Sequence, residues 1–195
     1  MASVAASWRL IEEVLCENAH SVFRALRKPV SEVGLRRVKE KLPAKLPNSF
    51  VQSLKIHDGL RNSFLGQIRL FAYWALLPVS AMLGEWKIMT GLQAECGFGG
   101  DHLTRTSQIK NDSHWRPGWI PFMHADGDKL VIDLDPGRTG KVGQVFKWSN
   151  SGSFPMRVLA GSFREWLAGV AAAFSKRQFR LDEFGGIWLD NDQLG

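Results

Sequence analysis

The sequence is poor in cysteine. Cys16 and Cys96 are the only two in 195 residues, far apart, with no CxxC pair and no Cys/His cluster. That argues against a disulfide framework or a zinc site and leaves two free, mostly buried thiols in a reducing compartment as the expectation. Long hydrophobic runs are missing too. The longest, Leu70 to Met82, contains Pro78 and falls short of the ~18 apolar residues of a membrane span. The N-terminal stretch has no basic start and is interrupted at Glu12 and Glu13. It does not read as a signal peptide, so a cytoplasmic location is expected.

Catalytic signatures are scarce as well. No GxSxG turn presents a nucleophile. Gly97 to Asp101 is Gly-rich, but no Lys-Ser/Thr follows, so it is not a phosphate loop. Ser151 to Ser153 reads as a turn. His57-Asp58 and Asp101-His102 are adjacent pairs, and neighbours on a helix or strand rarely face each other. There are no internal repeats and no low-complexity linker.

What is present is an ordinary globular composition, 45% hydrophobic and 23% charged, in a chain long enough to bury a core. Eight Trp and twelve Phe accompany a single Tyr, so the core can be dense and some Trp can serve a partner surface. The net charge of +6 is local. Arg24, Arg27, Lys28, Arg36, Arg37, Lys39, Lys41 and Lys45 stand against Glu32 and Glu40, an excess equal to that of the whole chain. Such a face suits nucleic acid, an anionic lipid surface or an acidic protein, or is simply solvated. The absence of aromatics between Lys28 and Lys45 weakens a single-strand-binding reading.

Periodicity places the elements. Trp8, Ile11, Leu15, Ala19, Val22, Phe23 and Leu26 predict one amphipathic helix ended by Pro29. Ser31 caps a second helix bearing Leu35, Val38 and Leu42. A third follows Pro47, with Phe50, Val51 and Leu54 inward and Gly59 as its left-handed exit. Gln67 to Tyr73 reads as a strand and Ser80 to Leu92 as a helix. Cys96 to His114 loses all periodicity and is the best candidate for a mobile loop. Strands are expected at Trp119 to Met123, Lys129 to Asp135 and Gly143 to Trp148. In the second, Leu130, Ile132 and Leu134 alternate with Val131, Asp133 and Asp135, so the aspartates share the opposite, solvated face. Ser162 and Glu165 form a capping box for a last helix carrying Phe163, Trp166, Leu167, Val170 and Phe174. A tail containing FGGIW adds a short strand or docks by its aromatics. Together these predict a single α+β domain: N-terminal helices and a C-terminal helix packed on a mainly antiparallel, twisted sheet. Its core spans about residues 8–174, with 175–195 as an extension.

The stretch from Trp115 to Val145 carries the sharpest pattern. Asp126, Asp128, Asp133 and Asp135 raise the question of a metal or acid–base site. Lys129, Leu130 and Val131 occupy positions where a calcium loop needs ligands, so the plainer reading is a turn between two strands.

Motif order adds a family. LPNSF…HDG, LLPVSAM, GWIPF…DGDKLVIDLDP, TGKVGQV and LAGSFREWL resemble the SUKH superfamily, which includes a fungal regulator of cell-wall synthesis and many bacterial immunity proteins. Leu46-Pro47, Asp58-Gly59, Trp119 to Phe122, Asp126 to Asp128, Asp133, Pro136, Gly143 to Val145, Ser162-Phe163 and Leu167 carry the match. Leu60 to Tyr73, Gly34 and Lys39 depart from it. The resemblance implies a non-catalytic protein-binding module without cofactor or metal, foremost an immunity protein that blocks a cognate toxin. The alternatives are a regulatory scaffold in cell-wall or stress signalling, and a hydrolase or metal enzyme using the four aspartates. Trp115, Trp119, Asp126, Asp128, Asp133 and Asp135 are the candidate partner-binding residues. A nuclease toxin is usually basic, and so is this chain. Either the acidic face does the docking, or the toxin is acidic or not a nuclease.

Overall fold

The computed structural model describes residues 2–61, 68–97, 106–110, 112–150, 155–183, 185–190 and 194. Four helices come first: α1 (Val4–Asn18), α2 (His20–Ala25), α3 (Glu32–Lys41) and α4 (Asn48–Leu54). Ser3 and Ser31 cap α1 and α3, each hydroxyl accepting at 3.1 Å from the N–H three residues on. The stripe that predicts one helix from Trp8 to Leu26 is split at Ala19, whose φ of −140° leaves the helical region. Side-chain periodicity survives the break because Ala19, Val22, Ala25 and Leu26 still face the core.

After α4 the expected strand at Gln67 to Tyr73 is replaced, over its described part, by a tight reversal. Leu70 N–H donates to the Trp74 carbonyl at 2.7 Å, and Ala72 adopts φ 46°. Strand geometry begins only at β1 (Ala75–Leu76), which leads into α5 (Val79–Cys96). That helix outruns the expected Ser80 to Leu92 by a turn, ending at Gly97 with φ 56°. Both thiols are exposed, correcting the expectation of burial. Cys16 lies on the outer flank of α1, and Cys96 lies beyond Met89, the last buried residue of α5.

The sheet continues with β2 (Trp119–Ala125), β3 (Asp128–Asp133), β4 (Gln144–Trp148) and β5 (Arg157–Ala160). Its order is β1-β2-β3-β4-β5, and every neighbouring pair is antiparallel. Then come α6 (Phe163–Ser175) and the hairpin of β6 (Phe179–Leu181) and β7 (Ile187–Leu189). The predicted capping box is present in shifted form. Ser162 Oγ accepts from Glu165 N–H, and Glu165 Oε2 accepts from the N–H of Gly161. Much of the suspected loop from Cys96 to His114 (Asp101-His102 included), the SGS turn and Phe184 of the FGGIW tail lie outside the described residues.

One sheet face holds the main core, where Phe122 meets Phe50, Phe163 and Trp166 edge-on at 4.9–5.9 Å. Each such ring removes about 150–250 Å² from water, about 4–6 kcal/mol of transfer energy. The other face is covered too. Trp115, Trp119, Val131, Phe146, Trp148 and Met156 pack there beneath Met89 of α5. The face expected to be solvated is a second core.

Asp58 and Gly59 join the helical layer to the sheet. Gly59 is not the exit of α4, which ends at Leu54. Asp58 Oδ1 instead accepts from Val79 N–H at 2.8 Å, capping α5 from another part of the chain. Gly59, at φ 72°, lies so close to the Leu77–Pro78 backbone that a Cβ would fall 2.4 Å from Pro78 N. Gly59→Ala is therefore expected to cost more than ~3 kcal/mol, through strain and a backbone clash. Gly97→Ala, left-handed but in open space, should cost about 1 kcal/mol. Urea denaturation of the two variants checks the ranking; equal losses would sink it.

Candidate functional site

The hairpin joining β2 to β3 places the acidic turn. Ala125 pairs with Asp128, so only Asp126 and Gly127 connect the strands, both at positive φ (48° and 100°). A two-residue connection of this hand matches strand twist, which explains the Asp-Gly sequence. Two further bonds hold it. Asp128 Oδ1 accepts from Asn150 N–H at 2.9 Å, and Lys129 Nζ donates to the Gly127 carbonyl at 2.9 Å.

Lys129 is itself buried, against expectation for a strand-face lysine. Its ammonium pairs with Glu85 of α5 at 3.1 Å and sits 5.2 Å over the Trp148 ring. His124 lies 3.6 Å from the same carboxylate. Burial holds His124 below the ordinary histidine value, outweighing the attraction of Glu85. The turn is thus anchored from behind.

In front of it lies a recess of about 310 Å³ lined by Tyr73, Trp74, Ala125, Asp126, Asp128, Lys147 and Asn150. Lys147 Nζ is 5.4 Å over the Trp74 ring, and Tyr73 meets Trp188 edge-on at 4.7 Å. Asp126 is exposed and Asp128 partly so. Tyr73, Trp74, Lys147 and Asn150 escape a sequence reading because they come from two segments distant from the hairpin and match no motif.

The other candidate residues lie elsewhere. Asp133 is fully buried on the second face, accepting from Gln144 Nε2 and from Asp135 N–H, both at 2.9 Å. Asp135, past the end of β3, forms ion pairs with Arg116 and Lys110. Those bonds outweigh partial desolvation and hold its carboxyl below the usual range. Trp115 and Trp119 are buried in an edge-to-face cluster with Trp148 and Phe146, so neither offers a surface to a partner. A Trp-rich segment reads alike whether it faces a partner or a second core. The four aspartates do not converge: Asp128 and Asp133 sit at opposite ends of β3, about 17 Å apart at strand rise. Among the described residues no three His, Cys, Asp or Glu side chains gather as a metal site. Of the basic run, Arg27 pairs with Asp58, while Arg36, Arg37, Lys39, Lys41 and Lys45 are exposed.

Comparison with known proteins supplies context. The model of the SMI1/KNR4 family (SUKH-1) matches residues 29–169. The chain is 26% identical to a glucan synthesis regulatory protein of Neurospora crassa, covering 92% of this chain and 40% of that one. It is 27% identical to the cell wall biosynthesis/cell cycle regulator smi1 of Schizosaccharomyces pombe, over 92% and 38%. A KNR4/SMI1 homolog of Yarrowia lipolytica is 24% identical, over 98% and 33%. The chain thus spans between a third and two fifths of the length of these relatives.

The matched stretch contains Asp133, whose burial lifts its carboxyl from 3.8 to about 6 against the opposing bonds from Gln144 and the Asp135 N–H. A folded value above the unfolded one means that the native state holds the proton longer. Stability from this group is therefore present at pH 4 and lost as pH rises through about 6. Relative to Asp133→Asn, the unmodified protein should lose on the order of 2–3 kcal/mol between pH 4 and 7. Thermal unfolding of both proteins across that range reads the difference; parallel curves would refute the assignment.

Proposed function

The chain belongs to the SMI1/KNR4 family (SUKH-1), and from that membership we propose that it is a regulatory scaffold in cell-wall glucan synthesis, working by binding and not by turnover. One observation carries the reading. The hairpin that marks the family is an immobilised acidic turn fronting a preformed recess, while the carboxylates that could have joined it, Asp133 and Asp135, are held in structural bonds. A site whose groups are positioned before binding loses little freedom on contact, which suits recognition. Asp126 and Asp128 are the acids such a surface presents to a protein partner. The relatives named as regulators of glucan synthesis and cell-wall biosynthesis favour this reading. The toxin-neutralising reading has no comparable observation behind it.

The test is a chimera. In the fission-yeast relative, the segment matching this chain is replaced by this chain, and wall glucan and growth under wall stress are measured. The chimera should restore both. Asp126→Asn with Asp128→Asn, a pair that tolerates the positive φ and keeps an acceptor for Asn150 N–H, should reduce rescue and weaken capture of wall-synthesis proteins, with the melting temperature of the isolated domain little changed. Failure of the unmodified chimera would count against the function, and full activity of the double variant would remove the acidic turn from it.

A further inference from the structure

The geometry points to a neutral polyhydroxy ligand, a mono- or disaccharide, as the occupant of the recess bounded by Tyr73, Trp74, Asp126, Asp128, Lys147 and Asn150. The inference rests on the reading of this site as one that binds, and it adds a small ligand to the protein partner.

The lining excludes the other ligand classes in turn. Two carboxylates face one ammonium, so phosphates and other anions are repelled. Two carboxylates without a third His, Cys, Asp or Glu make a poor cation cage, and no such group of three occurs among the described residues. An apolar ligand would strip water from Asp126, Asp128, Lys147 and Asn150 without replacing its hydrogen bonds. A cationic side chain would seek the aromatic face, but the Lys147 ammonium already stands 5.4 Å over the Trp74 ring.

A saccharide meets the terms that remain. Its hydroxyls both donate and accept, and the recess offers both partners. Asp126 makes no hydrogen bond or ion pair among the described residues, and Asp128 commits only Oδ1, to Asn150 N–H. Carboxylate oxygens accept, the Lys147 ammonium donates, and the Asn150 side-chain amide does either. The C–H face of a pyranose ring is apolar, and Tyr73, half exposed and braced edge-on by Trp188, carries the Arg69 guanidinium 5.4 Å from its centroid on one face and has its other face for the sugar. The volume, about 310 Å³, lies at the lower end of small-molecule sites.

The experiment titrates the full folded chain with cellobiose, laminaribiose and maltose, each alone, and in parallel with arginine amide and inorganic phosphate. Tryptophan fluorescence and backbone NMR shifts are the readouts. At least one disaccharide should bind with a Kd of about 1 mM or tighter, shifting the resonances of Asp126, Asp128 and Asn150. Asp126→Gly, which removes the carboxylate and keeps the positive-φ turn, should weaken it roughly tenfold. Lys147→Met should weaken it too while admitting arginine amide to the vacated ring. Binding of arginine amide or phosphate by the unmodified protein in preference to every sugar would overturn the proposal, and so would silence from all five probes. If the sugars fail while partner capture persists, only this inference falls. If the sugars bind and the chimera fails, the regulatory reading falls and the ligand site stands.

Discussion

Strands β2 and β3 are covered on both faces over most of their length, so the charged groups buried on them need partners inside the fold. Main-core side chains cover one face, and a Trp-rich cluster beneath α5 covers the other. An unpaired charge there would be prohibitive, and the fold supplies the missing partners. Glu85 reaches down from α5 to Lys129. Gln144 crosses from β4 to Asp133. The family's Asp-Gly pair serves the same demand, since Asp58 satisfies the first turn of α5 and Gly59 allows the backbone to approach Leu77 and Pro78.

This double covering also shapes the candidate site. The strands cannot slip by one residue without exchanging their two buried faces, so the register and the turn at its end are rigid. Asp126 and Asp128 escape burial only because the hairpin projects past the covering layers. The recess is therefore a by-product of the sheet's termination, walled by whatever the neighbouring segments bring there. Tyr73 and Trp74 come from the reversal before β1, and Lys147 and Asn150 from β4 and just beyond it. Local chemistry placed the acids, and chain topology placed the rings.

Much of the architecture was legible in the residues. Caps at Ser31 and Ser162, the Asp-Gly turn and the apolar sets of β3 and α6 follow from spacing alone, because helix and strand periods are local properties. Several readings failed for reasons that are not local. The helix from Trp8 to Leu26 broke at Ala19, since a stripe survives a bend that keeps its side chains on the core. Gln67 to Tyr73 supplied no strand over its described part, where hydrogen bonds to Trp74 and Ile187 shaped a reversal. The thiols were read as buried from residue type, which says nothing about which flank of a helix is covered.

The sequence by itself determined the alternation in β3 and therefore that Leu130 and Ile132 oppose Val131 and Asp133. It also determined the family, through the order of motifs around the hairpin. Only the tertiary structure decided that the second face is dry, because covering it takes α5 and the segment around Trp115, which are remote from β3 in the chain. That one fact withdrew Asp133, Trp115 and Trp119 from the surface and left Asp126 and Asp128 beside aromatic walls that no local pattern announces. Periodicity records which side of a strand a residue takes; what lies against that side is settled by contacts far away in sequence.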